Sequence, residues 1–128
     1  MRTIVGFALL ALLATPVTGA VTVYRGPLTN PFTGQDGRLT ARVQTTGAQL
    51  RARLRCRGAC VVRRGRITAA YDAAASSVVG TLRDVARGRT CSFSGYLYLR
   101  FFQGDIDCAP GQFPQIPGTI ATFYLERP

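Results

Sequence analysis

Between Arg38 and Arg57 apolar and polar residues alternate with little interruption. Leu39, Ala41 and Val43 interleave with Arg38, Thr40, Arg42 and Gln44. After a Thr-Thr-Gly break, Leu50, Ala52, Leu54 and Cys56 interleave with Arg51, Arg53, Arg55 and Arg57. Successive side chains of a strand point to opposite faces, so a period of two marks a pair of half-buried strands. Gly47 provides the positive φ that a two-residue hairpin turn needs. Folding the pair about Thr46-Gly47 sets Val43 against Leu50, Ala41 against Ala52 and Leu39 against Leu54. The second face then carries Arg42 opposite Arg51, Thr40 opposite Arg53 and Arg38 opposite Arg55, with Arg57 just beyond. A one-residue slip would turn the arginines onto the apolar face.

The same period recurs along the chain. Val21 to Arg25 reads as a first strand, followed by a Pro- and Gly-rich loop over Gly26 to Gly37. Val61 and Val62 extend a short strand before a basic turn, Arg63 to Arg66. Ile67 to Tyr71 and Ser77 to Val85 are strands, with Ile67, Ala69, Tyr71, Val78, Gly80 and Leu82 inward. Asp72 to Ser77 between them is a loop or a single helical turn. Thr90 to Ser94 and Tyr96 to Phe102 are predicted as strands separated at Gly95 by a bulge or bend. Gln103-Gly104-Asp105 reads as a turn, and Ile106 to Cys108 starts back. Ala109 to Gly118 is a loop, and Thr119 to Glu126 closes the domain with Ala121, Phe123 and Leu125 on one face. About eight short strands and no convincing helix predict an all-β, antiparallel meander, closed as a barrel or packed as a sandwich.

The first 20 residues break the pattern. Arg2 precedes an apolar run of 11 residues, Ile4 to Ala14, then Pro16, with Thr18 and Ala20 as small residues before a cleavage site. This is the form of a secretory signal peptide, and the run is short of the ~20 residues a bilayer-spanning helix needs. The expectation is a leader over residues 1–20 and a single exported domain over 21–128, periplasmic or extracellular, with no transmembrane segment. Four cysteines in an exported chain imply two disulfides. Three pairings are available, and the favoured one is Cys56–Cys60 with Cys91–Cys108. The first would close a turn around Gly58, and the second a longer loop worth on the order of 3 kcal/mol by chain entropy.

The formal net charge is +10, or +9 without Arg2, and all 16 basic residues are arginine. A GC-rich coding sequence favours Arg over Lys and accounts for the missing lysines, but it leaves the excess of positive charge unexplained. The chain has no histidine. That removes Ser-His-Asp and Cys-His catalysis and every His-containing metal site. The cysteine spacing, C-x3-C and later C-x16-C, does not suit a zinc ribbon, so no metal and no cofactor is expected. Six carboxylates remain: Asp36, Asp72, Asp84, Asp105, Asp107 and Glu126. A pair drawn from Asp105, Asp107 and Glu126 would be the seat of a carboxylate-dependent hydrolase.

The arginine face is the one constellation that poses a physical problem, because like charges directly opposed on a sheet are destabilising. Arg38, Arg42, Arg51, Arg53, Arg55 and Arg57 are therefore candidate anion-binding residues, facing envelope lipid, polysaccharide or an acidic protein. Nucleic acid is disfavoured, because single-strand sites interleave basic groups with aromatic platforms and this hairpin has none. Tyr96, Tyr98 and Arg100, on one strand face, are the sole stacking candidates. The leading expectation is a non-catalytic binding module. The alternatives are a loop-based inhibitor using Gly26–Gly37 or Ala109–Gly118, and the carboxylate hydrolase.

Overall fold

In the computed structural model, residues 20–128 are described. The expected leader lies outside them apart from Ala20. Eight antiparallel strands follow one another around a ring: β1 (Thr22–Thr29), β2 (Asp36–Thr46), β3 (Gln49–Gly58), β4 (Arg64–Asp72), β5 (Ser77–Asp84), β6 (Arg89–Leu97), β7 (Phe101–Asp107) and β8 (Ile120–Glu126). Each pairs with the next, and β8 returns to β1 through Arg25–Glu126, Leu28–Phe123 and Thr29–Thr122. The meander is thus a closed barrel, which leaves no free sheet edge. Both favoured disulfides are present, Cys56–Cys60 and Cys91–Cys108.

Alternation decides which face is which. The inward residues of β2 and β3, from Leu39 to Val43 and from Leu50 to Cys56, are all buried, while the arginines between them are exposed. Phe93, Phe102 and Phe123 form the aromatic centre of the interior, with ring centroids 5.0 to 5.9 Å apart. One end is closed by Val61 and Val62, both buried although outside any strand. Beneath them Asp84, fully buried, accepts a hydrogen bond from Arg89 Nε at 2.9 Å, and Arg89 Nη2 donates to the Val61 carbonyl at 3.2 Å. With apolar side chains inside and arginines outside, the polarity is the reverse of a lipid-embedded barrel, whose outer band is apolar. No helix among the described residues is long and apolar enough to cross a membrane.

The structure corrects several expected details. The central hairpin turns at Gly47-Ala48, so Val43 faces Ala52, Ala41 faces Leu54 and Arg42 faces Arg53. The register is two residues from the expected one. A two-residue shift preserves the faces, so the alternation that identified the hairpin could not fix it. Gly47, with φ of 62°, occupies the first central position, where a type II′ turn requires glycine.

β1 runs on through Gly26-Pro27-Leu28 to Thr29, which shortens the loop to residues 30–35. A Cβ on Gly26 would collide with the Tyr124 carbonyl of β8, so this glycine serves a close approach between strands. β4 begins at Arg64, not after a turn, because Gly65 lies inward beneath Leu82 and Val62, 3.2 and 3.3 Å from where its Cβ would be. β6 is continuous through Gly95, which pairs with Gly104 in the middle of β7. The chain reverses at Tyr98 to Arg100 instead of at residues 103–105. A Cβ on Gly104 would strike the Phe93 ring, so this glycine makes room for packing and marks no turn.

Candidate anion-binding wall

The outer faces of β1 to β5 carry arginines in register. Arg42 of β2 pairs with Arg53 of β3, Arg53 with Arg66 of β4, and Arg66 with Arg83 of β5. Four guanidinium-bearing positions thus lie side by side across four adjacent strands, at the strand spacing of roughly 4.8 Å. A second row runs from Arg25 through Thr40 and Arg55 to Arg64, and a third joins Arg38 to Arg57. Alternation accounts for all three rows, since every arginine sits one residue from a buried neighbour.

These rows border an open furrow of about 830 Å³, lined by Arg25, Arg38, Arg42, Arg53, Arg55, Arg57, Arg64 and Arg66 and by no acidic residue. Of the six residues expected from the sequence, five line it. The sixth, Arg51, stands at the margin between Gln44 and Thr68. Arg25, Arg64, Arg66 and Arg83 complete the wall and were not among the expected residues. Arg64 and Arg66 were legible in principle, because R-G-R-I-T-A keeps the period of two once Gly65 is accepted as an inward residue.

No carboxylate lies within ion-pair distance of a wall arginine among the described residues, and the one acidic cross-strand neighbour is Glu126, opposite Arg25 at the β1 margin. Among the described residues the one ion pair within 4 Å is Arg89–Asp84, at the closed end. Asp36 is engaged by the Thr29 hydroxyl at 2.7 Å, and Asp72 caps its own turn by accepting from the Ala74 and Ala75 amides. Arg83 Nη1 donates to Thr90 Oγ1 at 3.1 Å, which ties the end of the four-arginine row to β6. Guanidinium groups so arranged bind carboxylate, sulfate or phosphate by forked, charge-assisted hydrogen bonds.

The other expected sites are less assembled. Asp105 and Asp107 both face outward on β7, and Asp107 Oδ1 is taken by the Ala109 amide at 2.9 Å. Glu126 sits opposite Phe101, while Asp105 sits opposite Thr122, four residues earlier in β8. Asp105 is the sole carboxylate lining the furrow on that side of the barrel, so no carboxylate pair is gathered there. Among the described residues no group of three or more potential metal ligands occurs. Comparison with protein-family models, with curated proteins and with solved structures finds no match.

Proposed function

We propose that this chain is a non-catalytic, exported binding domain whose β1–β5 wall holds an anionic polymer chain. The observation that carries this is the uninterrupted row Arg42–Arg53–Arg66–Arg83, in register on four strands and without a carboxylate beside it. Each opposed pair costs the fold a few tenths to about 1 kcal/mol. An arrangement that opposes folding and recurs across three strand interfaces is accounted for by a ligand that supplies the missing negative charge.

The wall spans five of the eight strands, about half the circumference. A flat bilayer touches a cylinder along a narrow strip, whereas a flexible anionic polysaccharide can follow the curve. That shape favours polysaccharide over envelope lipid. The expected leader and the two disulfides support a location outside the cytoplasm. Retention on immobilised heparin, eluted by salt, tests this reading against retention on neutral dextran. Flow-through at low salt on both would remove it, and equal capture by single-stranded DNA would shift the ligand class to any polyanion.

A second reading has one observation in its favour. In the loop before β8, Phe113 is 95% exposed and Ile116 is also exposed, as at the tip of a loop that enters a protein cleft. A specific partner captured in high salt, and lost with Phe113→Ser, would support that loop-based inhibitor.

A further inference from the structure

The side of the barrel opposite the arginine wall has a different chemistry. β7 lies four places from β3 in the ring of eight strands. Across β6, β7 and β8, Tyr96, Gln103 and Tyr124 stand side by side on the outer face. The next row toward the β6–β7 turn holds Tyr98 and Phe101. The four rings form a continuous arc: Tyr96 to Tyr98 at 6.2 Å, Tyr98 to Phe101 at 4.7 Å and Phe101 to Tyr124 at 5.3 Å between centroids. The arc encloses the Gln103 side chain and opens toward Ser94, Asp105 and Thr122, in the adjoining row. Tyr96, Gln103 and Tyr124, with Ser94, Asp105 and Thr122, line a furrow of about 510 Å³ in which no arginine takes part; Tyr98 and Phe101 back the two tyrosines.

Three features select the ligand. Tyr96 and Tyr124 are 44% and 45% exposed, so their faces are open to solvent at a cost that a stacked ligand would remove. Among the described residues no hydrogen bond reaches the Gln103 amide or the Asp105 carboxylate, which leaves an amide and an acceptor-only group beside the rings. The furrow has no cation, which disfavours phosphate-bearing ligands, and a closed barrel has no strand edge to extend with a peptide. A ligand with flat apolar C–H faces and a rim of hydroxyls fits rings flanked by an amide and a carboxylate.

We propose that this furrow binds a neutral oligosaccharide, with pyranose rings stacked on Tyr96 and Tyr124 and hydroxyls bonded to Gln103 and Asp105. The two tyrosines are two strand spacings apart, roughly 10 Å, the reach of two linked sugar rings. The site is independent of the arginine wall, and a chain bearing both would join an anionic polymer to a neutral glycan.

The test is calorimetric titration of the mature protein with cellotetraose and with chitotetraose, in 0.5 M salt to silence the wall. Saturable binding to either is expected. Tyr124→Thr, Tyr96→Thr and Gln103→Ala should each weaken it about tenfold, the scale of one lost stacking contact or hydrogen bond. Arg87→Thr, exposed in the β5–β6 turn and lining neither furrow, should leave it unchanged. The three variants lie at separate positions, so a misfolded one leaves two to decide. Absence of heat with both sugars at millimolar concentration overturns the proposal, as does binding that survives in both tyrosine variants. Binding of oligo(dT) that the tyrosine variants abolish would replace sugar by base stacking.

Discussion

Replacing Arg53 should make the protein more stable while weakening what it binds. Arg53 stands between Arg42 and Arg66 on adjacent strands, with Arg51 and Arg55 on the same face of its own strand. Two directly opposed like-charge pairs, at a few tenths to about 1 kcal/mol each, put the penalty at about 0.5–2 kcal/mol. Coulomb's law in water gives a similar figure, about 0.7 kcal/mol for two unit charges about 6 Å apart. Arg53→Thr removes both pairs and keeps a residue well suited to a strand. The loss of arginine stem packing offsets part of the gain. A net gain near 1 kcal/mol raises Tm by about 4 °C for a domain of this size. Calorimetric melts at 20 mM and 1 M salt would show a clear gap at low salt. It should close at high salt, where the Debye length shrinks to ~3 Å. Arg100→Thr, at the β6–β7 turn and away from the wall, serves as the control. An Arg53→Thr variant that melts at or below the parent temperature in low salt would refute the reasoning, as would a gap that persists unchanged in 1 M salt.

Other consequences can be checked with single substitutions. Asp84→Ala leaves the half-buried Arg89 without its carboxylate and frees the Arg87 amide that Asp84 Oδ1 accepts at 3.3 Å. A loss of about 2–4 kcal/mol in denaturant unfolding is expected, and a change below 1 kcal/mol would show that the clamp is not structural. Gly104→Ala pushes a methyl into the Phe93 ring and should cost about 1–3 kcal/mol by overpacking, whereas Gly88→Ala, in an open turn, strains the backbone alone. Burial raises the pKa of Tyr24 above its usual value, and its hydroxyl donates to the Tyr98 carbonyl at 3.2 Å. The folded state therefore holds this proton more tightly than the unfolded chain. The resulting stability is complete below about pH 10 and declines as pH rises through the folded pKa. Tyr24→Phe should flatten that alkaline decline in unfolding free energy, and an unchanged slope would contradict it.

How much of this was legible in the sequence depended on which physical quantity the residues encode. Period-two alternation encodes faces, so the buried and exposed sides of β2, β3, β5 and β8 could be read directly. It does not encode register, because a two-residue shift exchanges no face; that is why Arg42 was set against Arg51 and is found against Arg53. Glycine carries two meanings that look alike in sequence. Gly47 marks a turn through its φ, whereas Gly65, Gly95 and Gly104 are strand residues emptied of side chain by the packing around them. Reading Gly65 and Gly104 as turn residues and Gly95 as a bulge or bend hid the start of β4 and divided β6. It thereby concealed Arg64 and Arg66 in the wall, and the meeting of Tyr96 and Tyr124 across Gln103. That meeting depends on which strands are neighbours, and β8 is distant in sequence from β6. The disulfide pairs were accessible because each joins cysteines close along the chain.

The central claim is that the arginine wall is a polyanion site, and the salt dependence of binding tests it most directly. Affinity for a size-defined heparin oligosaccharide would be measured across a series of salt concentrations, for the parent and for Arg42→Thr/Arg53→Thr/Arg66→Thr. Each arginine engaged releases about one counterion, so log K should fall linearly with log salt, and the slope should drop by about 3 in the triple variant. Equal slopes for the two proteins, with both still folded, would contradict the account.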